Sequence, residues 1–288
     1  MFSNMTTVGV IGASGGLGSG VVRQLAVRGI RARLIMRRAG AADPAHDVVH
    51  GDLDLPETLP PAMAGLETLI LITADSPRQA AQGEVAVAAA KAAGVARIVF
   101  VSAMLAGETP PLSFGVQHAR IEQALRTSGL AHAILRPSFF MQSFGLFAAD
   151  IKSQRLMIPV PTGRAAFVDR DDVAEAVAIC ALERGLPGLD PVYLTGTEAL
   201  SFGMAAGVLS AVTRNRIRHI APPLWLVRII LPYVAKLDRW TAARLVEMFA
   251  ALEAGLEEKI TPDLGRILGR APGTLAGYLA RERALFMK

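Results

Sequence analysis

The sequence predicts an α/β protein: a doubly wound parallel sheet followed by a smaller, mostly helical C-terminal part. Three observations carry this. A β-branched run ends in a glycine cluster and passes directly into an apolar helical pattern over residues 7–28. Short apolar strands then alternate with helices as far as residue 195, an order that gives parallel pairing with right-handed crossovers. After about residue 198 the strand signal fades and helical patterns take over.

Taken in order, strands are expected at 7–11, 31–36, 47–50, 68–72, 97–101, 131–135 and 191–195. Helices are expected near 17–28, 56–64, 78–93, 118–128, 140–152 and 171–184. Further helices are expected at 201–213, 222–235, 239–254 and 272–285, with breaks at Pro222-Pro223 and Thr261-Pro262-Asp263. The segment 153–168 reads as loop. The expected division is a sheet domain over 1–152 and a C-terminal region over 153–288. That region returns the late strand to the sheet and otherwise forms a helical cap.

Composition narrows the classes. With 288 residues, 52% apolar and 19% charged, the chain can bury a large core. Thirty basic against 25 acidic residues leave a formal charge of +5. The densest basic groups, Arg31, Arg33, Arg37, Arg38 and Arg214, Arg216, Arg218, have no aromatics between them, so no nucleic-acid partner is expected. Residues 220–237 are the most membrane-like stretch. Arg228 and Pro232 interrupt it, so a packed helix is expected and no membrane partner. Cys180 is the only cysteine, so no intrachain disulfide can form. It sits in an apolar helical run and reads as a buried small hydrophobe. No signal-peptide pattern opens the chain, and the cytoplasm is the expected location. The apolar helices near 222–254 would serve equally as cap or dimer face, which leaves monomer and homodimer both open.

The N-terminal strand–turn–helix carries the most chemistry. Val8, Val10 and Ile11 lead into Gly12, Ser14, Gly15, Gly16, Leu17 and Gly18. A dinucleotide pyrophosphate needs this arrangement. Gly12 takes the sharp turn, Gly15 and Gly16 let phosphate approach the backbone, and Gly18 lets the helix lie close to the sheet. The N–H groups at the helix start then face the anion. The second strand ends at Met36-Arg37-Arg38. A carboxylate there would hold the ribose hydroxyls of NAD; an arginine, best Arg37, can hold a 2′-phosphate, so NADP(H) is preferred over NAD(H). Asp52 can bond the adenine amino group, with Leu53 packing on the ring. Thr73 and Ala74 end the fourth strand and Ser102 the fifth, at the edge that faces ribose and nicotinamide.

These residues reach a family. The stretches VGVIGASGGLGSGVVRQL, GDLDLPETL, AAKAAGVARIVFVSA, HARIEQALRTSGLAHAILRPSFFMQSF, FVDRDDVAEAVAICAL and LGRAPGTLAGYLARE resemble the NmrA-like, atypical short-chain dehydrogenases over nearly the whole chain. The resemblance implies a Rossmann domain that binds NAD(P) and a smaller substrate domain. It also implies that Gly12, Ser14, Gly15, Gly16, Leu17, Arg37, Asp52, Leu53, Thr73, Ala74 and Ser102 touch cofactor.

One departure matters. Many short-chain dehydrogenases use Tyr-x-x-x-Lys, whose lysine lowers the pKa of the phenol that exchanges the substrate proton. Here Tyr193, Tyr233 and Tyr278 are followed four residues later by Thr197, Leu237 and Glu282. His118, near the expected place, is a candidate proton donor or ribose-orienting group, and Ser102 a second candidate. His46 and His50 lack further ligands, so no metal is expected. Asp169, Asp171 and Asp172 read as caps of the following helix. Beyond Pro137, the residues Phe139, Phe140, Met141 and Gln142 offer an apolar pocket with one polar contact for a small-molecule substrate. Two main readings follow. One is an NADPH-dependent reductase passing hydride to an electron-poor substrate such as an enone, quinone, imine or cationic dye. The other is a non-catalytic dinucleotide sensor that reports to a protein partner. An isomerase or epimerase acting on a nucleotide-linked substrate is a third, lesser one.

Overall fold

The computed structural model describes residues 7–38, 45–108, 112–183, 190–234 and 237–287. In chain order the elements are β1 (Val8–Ile11), α1 (Gly16–Val27), β2 (Arg33–Met36), β3 (Asp47–His50), α2 (Leu59–Met63), β4 (Thr68–Leu71), α3 (Gln79–Ala92), β5 (Arg97–Val101), α4 (Ser113–Ser128) and β6 (Ala131–Pro137). There follow α5 (Ala148–Lys152), β7 (Arg155–Met157), β8 (Arg164–Ala165), α6 (Arg170–Leu182), β9 (Val192–Leu194), β10 (Leu200–Ser201), α7 (Phe202–Thr213), β11 (Arg218–Ile220), α8 (Leu224–Val234), α9 (Arg239–Glu253), α10 (Asp263–Leu268), α11 (Leu275–Arg281) and α12 (Arg283–Phe286).

The chain divides into two compact units. The first comprises residues 1–136 and 173–193, the second 137–172 and 194–288. The units therefore interleave, and the changeover comes at the end of β6 rather than after residue 152. The reason is local. Residues 137–172 pack their apolar side chains, among them Phe144, Ile151, Leu156 and Phe167, into one core with Phe202, Leu209, Phe249 and Leu279 from the C-terminal half.

The first unit is built on a seven-stranded sheet in the order β3-β2-β1-β4-β5-β6-β9. Strands β3 to β6 of that order pair in parallel. The order reverses between β1 and β4, the switch point at which such sheets bind ligands. β1 and β4 are buried along their whole length, as the unbroken apolar runs of a sheet covered on both faces require. On one face Leu69, Leu71, Ile98, Phe100 and Ile134 of the sheet pack with Leu59 and Met63 of α2, Val87 and Ala90 of α3, and Ile121 and Leu125 of α4. Each of these side chains larger than alanine contributes about 1.5–3 kcal/mol by leaving water.

In the second unit Phe144, Phe167 and Phe202 meet with ring centroids 5.3 and 5.4 Å apart across Phe167. Asp169 caps α6, its Oδ1 accepting from the Asp171 N–H at 3.0 Å. Its Oδ2 accepts from Arg281 of α11 at 2.9 Å. Asp172 accepts from Arg270 at 2.8 Å and from the Gly273 N–H at 2.6 Å. The two carboxylates thus fasten the C-terminal helices to the start of α6.

Several expectations shift. The helix expected at 118–128 begins at Ser113, and the one expected at 140–152 is a 3-10 turn over 141–147 followed by α5. The segment read as loop contains β7 and β8, which pair with β11 and β10. Strands of two or three residues carry too few positions to show alternation. The short α10 was also not expected. Residue 184 of the expected helix 171–184 and residue 235 of 222–235 lie outside the described residues. Cys180 is fully buried, and burial pushes its thiol up to about 12.

Candidate functional site

In the first unit a cleft of about 670 Å³ opens where β1, β2, β3 and β4 end. Its floor is the glycine turn. Gly12 has φ +87°, and a Cβ there would collide with the Ile72 carbonyl oxygen. A Cβ on Gly18 would collide with the Gly12 carbonyl oxygen, so α1 rests directly on the turn. Gly15 is the N-cap of α1; no side chain caps the helix and no acidic residue lies in its first turn. The first backbone N–H groups, from Gly16 and Leu17 onward, are left for a ligand, and the helix dipole makes that ligand an anion.

Arg37 and Arg38 follow β2 and line the cleft, both exposed. Neither guanidinium has a side-chain partner among the described residues. Arg78 lines the cleft too, fixed by Asp54 at 2.9 Å, and Gln82 donates to the same carboxylate oxygen at 2.9 Å. Leu53 and Leu59 give apolar lining. Asp52 is beside the cleft, with Oδ1 accepting from the Asp54 N–H at 3.0 Å; that oxygen shapes the turn that presents Leu53.

Thr73 and Ala74 line the cleft beyond β4. Behind Thr73 stands the buried Gln79, whose amide nitrogen donates to Thr73 Oγ1 at 3.0 Å and lies 3.0 Å from His118 Nε2. The Gln79 amide thus joins Thr73 to His118, with the donor and acceptor roles at Nε2 set by the imidazole tautomer. The His118 ring stacks at 5.8 Å on Phe100. His118 therefore reaches the cleft through Gln79 and Thr73. Ser102 is buried, and its hydroxyl donates to Glu122 Oε1 at 2.6 Å. Glu122 also accepts a two-pronged contact from Arg136, at 2.8 and 2.7 Å. Burial works against the Arg136 charge, but the carboxylate outweighs it and holds the guanidinium above its ordinary range.

Of the residues expected to touch cofactor, the structure brings Gly12, Ser14, Gly15, Arg37, Leu53, Thr73 and Ala74 together on one cleft. Gly16 and Leu17 open α1 beside it; Asp52 and Ser102 do not line it. Sequence reasoning missed Arg38 as a lining residue, Arg78, and the Gln79 link. The signal available for Arg78 was its place after β4.

The segment expected to face substrate belongs to the second unit. Phe139 and Phe140 are half-buried. The Phe139 ring lies edge-on to Phe167 and Phe202 at 5.9 and 6.1 Å. Met141 packs in the core. Gln142 donates to Asp169 Oδ1 at 2.7 Å and accepts from the Arg170 N–H at 3.0 Å, so both ends of its amide are engaged. Glu257, also missed, is buried where β6 ends. Its Oε2 accepts from Ser138 Oγ at 2.7 Å and from the Phe139 N–H at 3.2 Å. Burial pushes its carboxyl up to about 7, against the pull of those two donors.

A strand–glycine turn–helix at the switch point, an uncapped helix start and free arginines after β2 together define a dinucleotide-binding protein of the Rossmann class. The donors fit a nicotinamide dinucleotide: helix amides for pyrophosphate, arginines for a phosphate, apolar lining for a ring. Comparison with known families agrees. The model of the NAD(P)H-binding family matches residues 12–184, and the chain belongs to that family, as an NAD(P)H-dependent oxidoreductase of the NmrA-like, atypical short-chain dehydrogenase type. It is similar to the NAD(P)H azoreductase of Xenophilus azovorans, 27% identical over 282 residues that cover 96% of this chain and 98% of the relative. The NADPH-dependent quinone oxidoreductase of Escherichia coli, solved with NADPH, shares the fold with a TM-score of 0.87 at 24% identity, covering 96% and 100% of the two chains. The triphenylmethane reductase of Citrobacter sp., solved with NADP(H), does so with a TM-score of 0.84 at 23% identity, covering 96% and 99%.

Proposed function

We propose that this protein reduces small, electron-poor organic molecules, with quinones, azo compounds, imines, enones and cationic dyes as the substrate class, and that it prefers NADPH to NADH. The observation that carries the cofactor preference is the pair Arg37 and Arg38, exposed on the cleft without side-chain partners among the described residues, where an NAD-selective site would hold a carboxylate. The similarity to an azoreductase over 96% of the chain supports the substrate class.

When bound, the cofactor supplies hydride. The helix amides and Gly15 seat its pyrophosphate, Arg37 and Arg38 its 2′-phosphate, and Leu53 its adenine. Thr73, held by Gln79 and His118, places a hydroxyl on the cleft wall. The Tyr-x-x-x-Lys pair is absent, so the protein's contribution is binding, orientation and exclusion of water rather than strong acid catalysis. Acceptors already polarised enough to take hydride suit such a site. In the second unit, Phe140 is the residue we assign to substrate, since Met141 is in the core and Gln142 holds the start of α6.

The test mixes protein and NADPH with a panel of such acceptors and follows nicotinamide absorbance. Turnover is expected for at least one class, and Phe140→Ala should lower it with NADPH affinity unchanged. No turnover across the panel, with tight NADPH binding and a protein captured alongside, would favour the sensor instead.

A further inference from the structure

Outside the cofactor cleft, the most unusual surface of the second unit runs from β7 and β11 to α8. β7 and β11 pair in parallel with Arg155 opposite Arg218 and Met157 opposite Ile220, and all four side chains are exposed. Like charges set directly opposite each other weaken a strand pair, so the fold gains nothing from this arrangement. Arg214 and Arg216 lie just before β11, also exposed. Among the described residues, none of Arg155, Arg214, Arg216, Arg218 and Arg228 has a side-chain partner. From Glu198 to Asp238 the chain has no acidic residue between them, against five basic ones.

The same run exposes large apolar side chains. Trp225, Ile229 and Tyr233 follow one another at helical spacing on α8 and are 67%, 58% and 82% exposed. Ile230 adds to that face. Four residues separate Ile220 from Trp225, five steps along the chain, so the end of β11 lies within about 17 Å of the helix. Ile229 and Tyr233 also border the groove that α8 shares with α9, which holds Arg228 and Arg239 with a single acid, Glu247.

We propose that this face adsorbs to an anionic lipid surface. The pairing of arginines with exposed tryptophan, isoleucine and tyrosine is what such a surface takes: head-group phosphates neutralise the cations, and the aromatic and aliphatic groups enter the head-group boundary. A second copy seated on the same face would bring arginine against arginine with no acid on β11 or α8 to answer it. Nucleic acid would leave the Ile229, Ile230 and Met157 side chains without a partner. No described helix is long and apolar enough to cross a membrane, and surface adsorption needs none. The consequence is an enzyme held where lipophilic quinones and dyes concentrate.

The test is cosedimentation of the whole protein with vesicles of phosphatidylcholine containing phosphatidylglycerol, and with phosphatidylcholine alone. Binding is expected only with the anionic vesicles and should fall on adding salt. Arg155→Glu with Arg218→Glu should weaken it about tenfold or more. Trp225→Ala should weaken it too, with NADPH binding retained as proof of folding. In Trp240→Phe, which leaves Trp225 as the sole tryptophan, emission should shift to the blue on binding. The proposal is overturned by wild type that binds NADPH but stays in the supernatant with anionic vesicles. It is equally overturned by a dimer that Trp225→Asp dissociates, or by duplex-DNA binding as tight as vesicle binding that survives Trp225→Ala.

Discussion

Arg37 and Arg38 stand one and two residues beyond β2 with open solvent around them, and each could be a plain surface arginine but for what lies beside it. The uncapped start of α1 fixes where a pyrophosphate goes, and the arginines stand on the same cleft. A charge-assisted hydrogen bond to a phosphate is worth about 1.5–3 kcal/mol. Calorimetric titration should therefore show NADPH binding about tenfold or more tighter than NADH, with the difference largely lost in Arg37→Ala/Arg38→Ala; equal affinities in the wild type would remove the assignment. Glu257 makes a second prediction. Its carboxyl is held near 7 when folded against an ordinary value of 4.5, so between those values the folded state binds more protons than the unfolded state. Stability from this group then falls as pH rises through that window, by up to about 3 kcal/mol. Glu257→Gln keeps an acceptor for Ser138 and Phe139 and removes the charge. Its Tm relative to wild type should rise from pH 5 to pH 8, and a constant difference would show that Glu257 does not titrate there. Neither Glu257 nor the Gln79 link was legible in the sequence, because each acts on partners 118 or 39 residues away. The glycine turn and the place of Arg37 on the cleft were legible, because both follow from chain position, between β1 and α1 and one residue beyond β2.

At the scale of elements, the β1–turn–α1 unit separates folding from binding. A Cβ on Gly15 meets only the Gly12 carbonyl oxygen at 3.4 Å and otherwise points into open space, whereas one on Gly18 collides with that oxygen. Gly15→Val should keep a native circular dichroism spectrum and lose cofactor, since its side chain occupies the phosphate approach. Gly18→Val should lower Tm as well. If both bind NADPH normally, the turn is not the anion seat. The long elements were legible wherever an apolar period lasted four residues or more: β1 to β6, α1, α3, α6, α7 and α9 all fall within a few residues of expectation. The start of α4 was not, because Leu112-Ser113 and Gly115 read as loop. β8 and β10 are two-residue strands that pair only through the tertiary fold.

On the scale of the whole molecule, the doubly wound architecture was legible from the alternation of strands and helices, but the interleaving of the two units was not. A division at residue 152 follows the chain; the observed one follows the Phe144–Phe167–Phe202 core, which draws residues 137–172 to the C-terminal half. The cleft lies wholly in the first unit, and the Phe139–Phe140 segment belongs to the second. The central claim is that hydride passes from NADPH to an electron-poor carbon or nitrogen of a small acceptor. It is tested most directly with NADPH carrying deuterium at both C4 positions of the nicotinamide and a cationic triarylmethane dye, followed by mass spectrometry of the reduced dye. The account predicts a colourless product carrying one deuterium at its central carbon, formed much faster with NADPH than with NADH. NADPH that binds in the cleft while the dye and other acceptors remain unreduced, or a product carrying no deuterium, would contradict it.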